Sequence, residues 1–217
     1  MMRTNMRFIG ITGGVGAGKS AILSYLAEKP KTKVMLADEI AHDLMEPGTD
    51  CYRQIVEQFT GLDIFLEHEV KDVDSTKEDR SFDRKKLAQV IFSDSQKRQQ
   101  MNAIVHPAVK EYVRQQYAIE QKNGELDLLV LEAALLIEEE YDEICDELWY
   151  IYTSEENRRE RLKISRGYSD EKIDNIFRSQ LSEAEFRQST QVTIDNNGDL
   201  VETKNQIEKA LRRKADE

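Results

Sequence analysis

Residues Gly13-Gly14-Val15-Gly16-Ala17-Gly18-Lys19-Ser20 match the pattern G-x-x-x-x-G-K-[ST] at every fixed position. Each residue type has a chemical reason to be there. Glycines let the backbone approach phosphate closely, and successive N–H groups turned inward form an anion nest. A helix beginning near Gly18 adds the partial positive charge of its N-terminus. Lys19 supplies a point charge to the β- and γ-phosphates, and the Ser20 hydroxyl is a ligand for Mg²⁺. A chance glycine-rich turn is the alternative. The context argues against it, because an apolar strand, Arg7 to Thr12, precedes the loop and an amphipathic helix, Ser20 to Glu28, follows. The pattern therefore predicts a nucleoside triphosphate bound with Mg²⁺.

Two further groups could do chemistry beside that loop. Asp38, in Ala37-Asp38-Glu39-Ile40-Ala41-His42, follows a second apolar run, Lys33 to Leu36. At the carboxyl end of a parallel strand its carboxylate could accept the proton of an attacking hydroxyl. The position equally suits a helix N-cap, and the two roles are compatible. The second group is the basic cluster Arg158, Arg159, Arg161, Lys163 and Arg166. On a helix Arg158 and Arg161 share a face, and guanidinium donors stabilise a transferring phosphoryl group. The competing reading is a solvated charged face with Glu155, Glu156 and Glu160, and it is preferred for Arg158 and Arg159. Three scattered histidines give no zinc pattern. Ser24 and Ser154 lack a His–Asp context for a hydrolase triad. The Asn-Lys-x-Asp segment of GTP-binding switches does not occur.

These groups must be positioned by an α/β scaffold. Apolar runs at Leu126–Leu131, Leu148–Tyr152 and Val192–Ile194 read as further strands, and the first is typical of a strand buried in a parallel sheet. Helices are expected at 38–45, 51–59, 83–92 and 95–119, the last breaking or kinking at Pro107. Thr153 with Glu156 suggests a capping box for the basic helix. Gly167 ends that helix, and Ser169-Asp170-Glu171 opens the next. The charged stretch 67–80, which contains His68, reads as an exposed loop. Strands alternating with helices give a layered α/β fold with a mainly parallel sheet. The strand-poor region near 55–120 reads as a helical insertion.

The chain has 217 residues, 31 Lys plus Arg against 42 Asp plus Glu, and a formal charge of −11. That acidity excludes a general nucleic-acid or anionic-membrane binder. It does not exclude a phosphorylated substrate at a small basic site. No run approaches the ~20 apolar residues of a membrane span. The N-terminus carries no signal-peptide core, and Cys51 and Cys145 form no CxxC pair. A cytoplasmic protein with free thiols is expected.

Taken together, the motifs resemble the dephospho-CoA kinase family over nearly the whole chain. The resemblance rests on Thr12 to Ser20, Ala37-Asp38 with Ile40-Ala41, Glu46-Pro47-Gly48, and Arg84, Leu87 and Phe92. It continues through Asn102 with His106-Pro107, Leu135-Leu136-Ile137-Glu138, Arg161, Arg166, Gln180 and Ile194-Asp195-Asn196-Asn197-Gly198. It implies a P-loop NTPase three-layer fold with a helical substrate-binding insertion and a helical lid. The nucleotide-binding core would comprise 1–54, 121–153 and 189–217, with a CoA-side helical domain at 55–120 and a lid at 154–188. The implied reaction is ATP-dependent phosphorylation of the ribose 3′-hydroxyl of dephospho-CoA, giving CoA and ADP. Asp38 would be the general base, with Lys19 and Arg161 also catalytic. Residues Gly13 to Ser20, Arg166 and Asn196 would bind nucleotide, and Ser20 would bind Mg²⁺. The alternatives are another P-loop small-molecule kinase, nucleoside-type, or a nucleotide-dependent regulatory protein. The chain departs from the family pattern at several positions. Leu36 replaces the first acid of an Asp-Ala-Asp, Ala134 a Pro, His42 an Arg, and Thr190-Gln191 an Ala-Asp pair. Glu132 lies where Asp is frequent at the end of the central strand, with Mg²⁺ organisation or plain support as its possible roles.

Overall fold

The computed structural model describes residues 6–66 and 81–213; the charged stretch 67–80, with His68, lies outside them. The chain forms two compact units, one of 1–36 with 117–217 and the other of 37–116.

The first unit is built on five parallel strands in the order β2-β3-β1-β4-β5. They are β1 (Arg7–Thr12), β2 (Thr32–Leu36), β3 (Leu128–Glu132), β4 (Glu147–Tyr152) and β5 (Val192–Asp195). From the central β1 the chain runs out to β2, returns to β3, and crosses to β4 and β5. Ligand crevices in open α/β sheets lie at the carboxyl edge where such an order reverses. The register sets Ile11 opposite both Glu132 and Trp149. Strand alternation divides the residues between two faces. Ile9, Ile11, Val130, Trp149, Ile151 and Ile194 pack with Ile22 and Leu26 of α1 (Lys19–Ala27) and Ile207 of α9 (Leu200–Arg212). On the opposite face Phe8 stacks on Tyr117, and Tyr150 stacks on Phe186 of α8 (Glu183–Ser189). The sheet is thus sandwiched between helical layers, as expected for a P-loop α/β fold.

Between β4 and β5 lie α6 (Glu155–Arg166), α7 (Asp170–Arg178) and α8. Gly167 closes α6 in the left-handed conformation, and Ser169 caps α7. The expected Thr153–Glu156 capping box does not form. Ser154 is the N-cap, accepting from Asn157 N at 3.3 Å, because the Thr153 hydroxyl is engaged elsewhere, on Ala17 O.

The second unit contains α2 (Ala37–Leu44), α3 (Asp50–Gln58), α4 (Arg84–Ser93) and most of α5 (Ser95–Asn123). It begins at Ala37 and so includes α2 and α3. α5 passes through Pro107 without the expected break. A mid-helix proline costs ~3 kcal/mol. Met101, Val105, Val109 and Val113 are all buried on one face of α5, and at ~1.5–3 kcal/mol each their burial outweighs that cost.

Candidate active site

The Gly13–Ser20 segment joins β1 to α1 as a compact loop. Gly18, the N-cap of α1, sits at φ 85° with no side-chain cap bond. A Cβ there would collide with the Asn196 side-chain nitrogen, so glycine is required by conformation and by space. Ser20 lies in the first turn of α1 and is exposed. Lys19 Nζ donates to Gly13 O at 2.7 Å and stands 3.5 Å from a Glu132 carboxylate oxygen.

A hydrogen-bonded buttress holds the loop from behind, and its focus is the buried carbonyl of Ala17. It accepts from Asn196 Nδ2 at 2.8 Å, from Thr153 Oγ1 at 3.0 Å and from an Arg161 guanidinium nitrogen at 3.4 Å. Asn196 is buried. Its Oδ1 accepts from Thr203 Oγ1 at 3.0 Å, and its own carbonyl accepts from Arg161 at 2.8 Å. Thus Arg161 and Asn196, both expected at the site, come together behind the loop. Arg166 does not join them. It is exposed at the last turn of α6, its guanidinium 5.8 Å from the Tyr168 ring centre.

Arg158 is not on a solvated face. Its Nε donates to Val15 O at 2.9 Å and a terminal nitrogen donates to Gln180 Oε1 at 2.5 Å. The guanidinium lies 4.2 Å from the Phe177 ring centre. Burial pushes its pKa below the ordinary arginine value, partly offset by Tyr150 and Glu155. Gln180 Oε1 also accepts from the Val15 N–H at 3.3 Å. One residue along, Arg159 does sit in a charged surface network, with Glu155, Asp170 and Asp174. Arg158, Gln180 and Thr153 were not foreseen as loop contacts. The one available signal was the i, i+3 spacing that puts Arg158 on the face of Arg161.

The donors near the loop suit Mg²⁺: a serine hydroxyl and a carboxylate are hard oxygen ligands, and this ion takes few protein ligands, keeping water and phosphate oxygens for the rest. Among the described residues no group of three or more His, Cys, Asp or Glu could hold a metal ion, so an all-protein metal cage is not what these residues build.

In the second unit, α2 starts directly after β2, so Asp38 lies inside its first turn, exposed, and does not act as an N-cap preceding it. The same unit holds a cavity of about 280 Å³ whose floor includes Leu87, Met101 and Val105, with His42, Arg84 and His106 among its polar lining. Phe92 and Asn102 also line it.

Comparison with known proteins agrees with this architecture. The sequence profile of the family described as "Dephospho-CoA kinase" matches residues 7–202. The dephospho-CoA kinase of Shouchella clausii is 34% identical over 209 residues, covering 96% of this chain and 99% of that protein. The dephospho-CoA kinase of Oceanobacillus iheyensis is 35% identical over 208 residues, covering 94% and 96%. Among solved structures, a Thermus thermophilus protein superposes with a TM-score of 0.70 at 25% identity, over 96% of this chain and 97% of that one. Shikimate kinase from Acinetobacter baumannii, at 13% identity and a TM-score of 0.50 over 95% and 92%, shares the fold alone. With the profile spanning almost the whole sequence and relatives above 30% identity along their full length, the chain belongs to the dephospho-CoA kinase family.

Proposed function

We propose that this chain transfers the γ-phosphoryl group of ATP to the ribose 3′-hydroxyl of dephospho-CoA, giving CoA and ADP, the last step of CoA biosynthesis. Family membership over residues 7–202 carries the reading, and the loop geometry supports it. The ammonium of Lys19 and the loop amides hold the β- and γ-phosphates at the start of α1. Ser20 would hold Mg²⁺ on the protein side, with Glu132 as a supporting carboxylate, and the ion would supply neutralisation of the phosphate oxygens. Asp38 accepts the proton of the 3′-hydroxyl as its oxygen attacks phosphorus, and ADP departs with the electrons of the broken P–O bond.

Arg161, on α6 beside Asn196, serves catalysis by ordering the back of the loop through Ala17 O and Asn196 O. Arg166, on the exposed last turn, reaches phosphate as the α6–α8 segment closes over ATP. The helical unit receives dephospho-CoA. Its cavity offers an apolar floor to the pantetheine arm and His42, Arg84 and His106 to the polar groups. The protein acts in the cytoplasm; among the described residues no helix is long and apolar enough to cross a membrane.

Incubation of the pure protein with ATP, Mg²⁺ and dephospho-CoA, followed by separation of products, should yield CoA and ADP. Phosphorylation of a nucleoside but not of dephospho-CoA would overturn the assignment. Asp38→Asn should lower kcat by about 10²–10⁴-fold with ATP affinity unchanged, and near-normal turnover would remove Asp38 from the role of base.

A further inference from the structure

Arg158 presents a problem of charge. Its guanidinium is half-buried and partly desolvated, yet its hydrogen-bond partners are neutral: the Val15 carbonyl and the Gln180 amide. No carboxylate lies within ion-pair distance of it among the described residues. Its neighbour Arg159 has three. A cation withdrawn from water without a counter-charge is costly. Packing does not explain it, since a neutral amide side chain could serve the same carbonyl and amide. The surroundings instead fix it in place over the phosphate loop. The Phe177 ring lies 4.2 Å beneath the guanidinium, and a Cβ on Gly14 would overlap it. The Val15 N–H, one of the amides that a phosphate would claim, is meanwhile donated to Gln180, which also accepts from Arg158.

We propose that Arg158 is a phosphate-binding residue of this enzyme: when a nucleoside polyphosphate fills the loop, the guanidinium exchanges Val15 O and Gln180 Oε1 for β- and γ-phosphate oxygens. In the same exchange Val15 N–H passes from Gln180 to phosphate. The desolvation is then compensated by the ligand, and the contact strengthens as negative charge builds on the leaving diphosphate. Arg158 thus joins Lys19 as a second cation at the polyphosphate, delivered from α6. This inference rests on the ATP-dependent reading above.

The test compares binding of ATP and AMP by titration calorimetry to the wild-type chain, Arg158→Gln and Arg158→Lys, with urea unfolding of each. Arg158→Gln should weaken ATP by about tenfold or more while AMP changes less than about twofold. Arg158→Lys, which keeps the charge but not the fork, should fall between. Equal losses for ATP and AMP, or ATP binding unchanged in both variants, would overturn the proposal and leave Arg158 a loop prop. If Arg158→Gln does not fold, Arg158→Lys decides by the same ATP-to-AMP contrast. A wild-type chain that binds ATP but makes no CoA would overturn the substrate assignment and leave this contrast intact.

Discussion

The carbonyl of Ala17 offers a quantitative test of how the loop is held. Two side chains from opposite ends of the α6–α8 segment, Thr153 and Asn196, donate to it at 3.0 and 2.8 Å, and Arg161 adds a longer contact at 3.4 Å. Ala17 is 1% exposed, so water cannot substitute. Thr153→Val keeps shape and removes one donor, at a cost of ~1 kcal/mol. Asn196→Ala removes the second donor and the acceptor of Thr203 Oγ1, which retains the Asp199 carbonyl at 3.2 Å as an outlet. About 2 kcal/mol is expected there, one hydrogen bond plus the truncation. Each single variant leaves Ala17 O with one good donor. The double variant leaves only the 3.4 Å contact, so the desolvation of a nearly orphaned carbonyl, ~1–2 kcal/mol, appears for the first time. The double should therefore cost ~4–5 kcal/mol, exceeding the sum of the singles by ~1 kcal/mol or more. Urea unfolding can be followed by the single tryptophan, Trp149, which is fully buried in β4 beside β1. ATP affinity should fall most in the double variant, because Ala17 leads directly into Gly18 and Lys19. Strict additivity within ~0.5 kcal/mol, or a double variant no worse than Asn196→Ala, would refute a shared acceptor.

Two further outcomes follow from groups away from the phosphate. The Cys145 thiol is pushed far up by burial, with Asp146 and Asp142 adding to the shift. Native protein at pH 8 should therefore alkylate with iodoacetamide at Cys145 about tenfold or more slowly than urea-unfolded protein, as peptide mass mapping would show; equal rates would contradict the burial. Lys29 first, then Tyr25, holds the Glu208 carboxyl below its ordinary range, tying α9 to the C-terminal end of α1. A depressed carboxyl contributes stability above its unfolded pKa of ~4.3 and loses it as pH falls through the folded value. Glu208→Gln should accordingly be less stable than wild type at pH 7 and converge with it near pH 3; a gap that persists at pH 3 would assign the effect to packing.

What was legible in the sequence, and what was not, divides along physical lines. The phosphate loop is contiguous, and its chemistry lies in backbone N–H groups that demand glycine at fixed spacing, so eight residues sufficed. The sheet was legible because buried parallel strands are short apolar runs. The buttress was not. Thr153 and Thr203 come from separate places in the chain and donate to oxygens that many polar side chains could serve, so no spacing marks them, and Asn196 is reached only through the family resemblance. The same contact explains the misplaced helix start. Thr153 and Ser154 are adjacent hydroxyls with equal local claims to cap α6, and tertiary structure decides between them by committing Thr153 to Ala17 O. The helix continues through Pro107 because four buried positions along α5 outweigh one missing donor.

The net charge of −11 is reconciled with anionic ligands by how the cations are partnered. Arg159, Lys163, Arg187 and Arg53 each stand against a carboxylate of the chain's own, and their fields largely cancel. Around the loop the pattern differs. Arg158 and Arg161 donate to carbonyls, an amide and a hydroxyl, whereas Lys19 donates to the Gly13 carbonyl and also pairs with Glu132 at 3.5 Å. Neutral acceptors leave most of the positive charge uncompensated and are readily exchanged for phosphate oxygens, because a charge-assisted bond replaces a neutral one. Had Arg158 and Arg161 been paired with carboxylates, an incoming polyphosphate would have to displace an anion and leave it buried beside its own charge. Two arginines held by dipoles therefore give an acidic protein positive charge to spend on a polyanion.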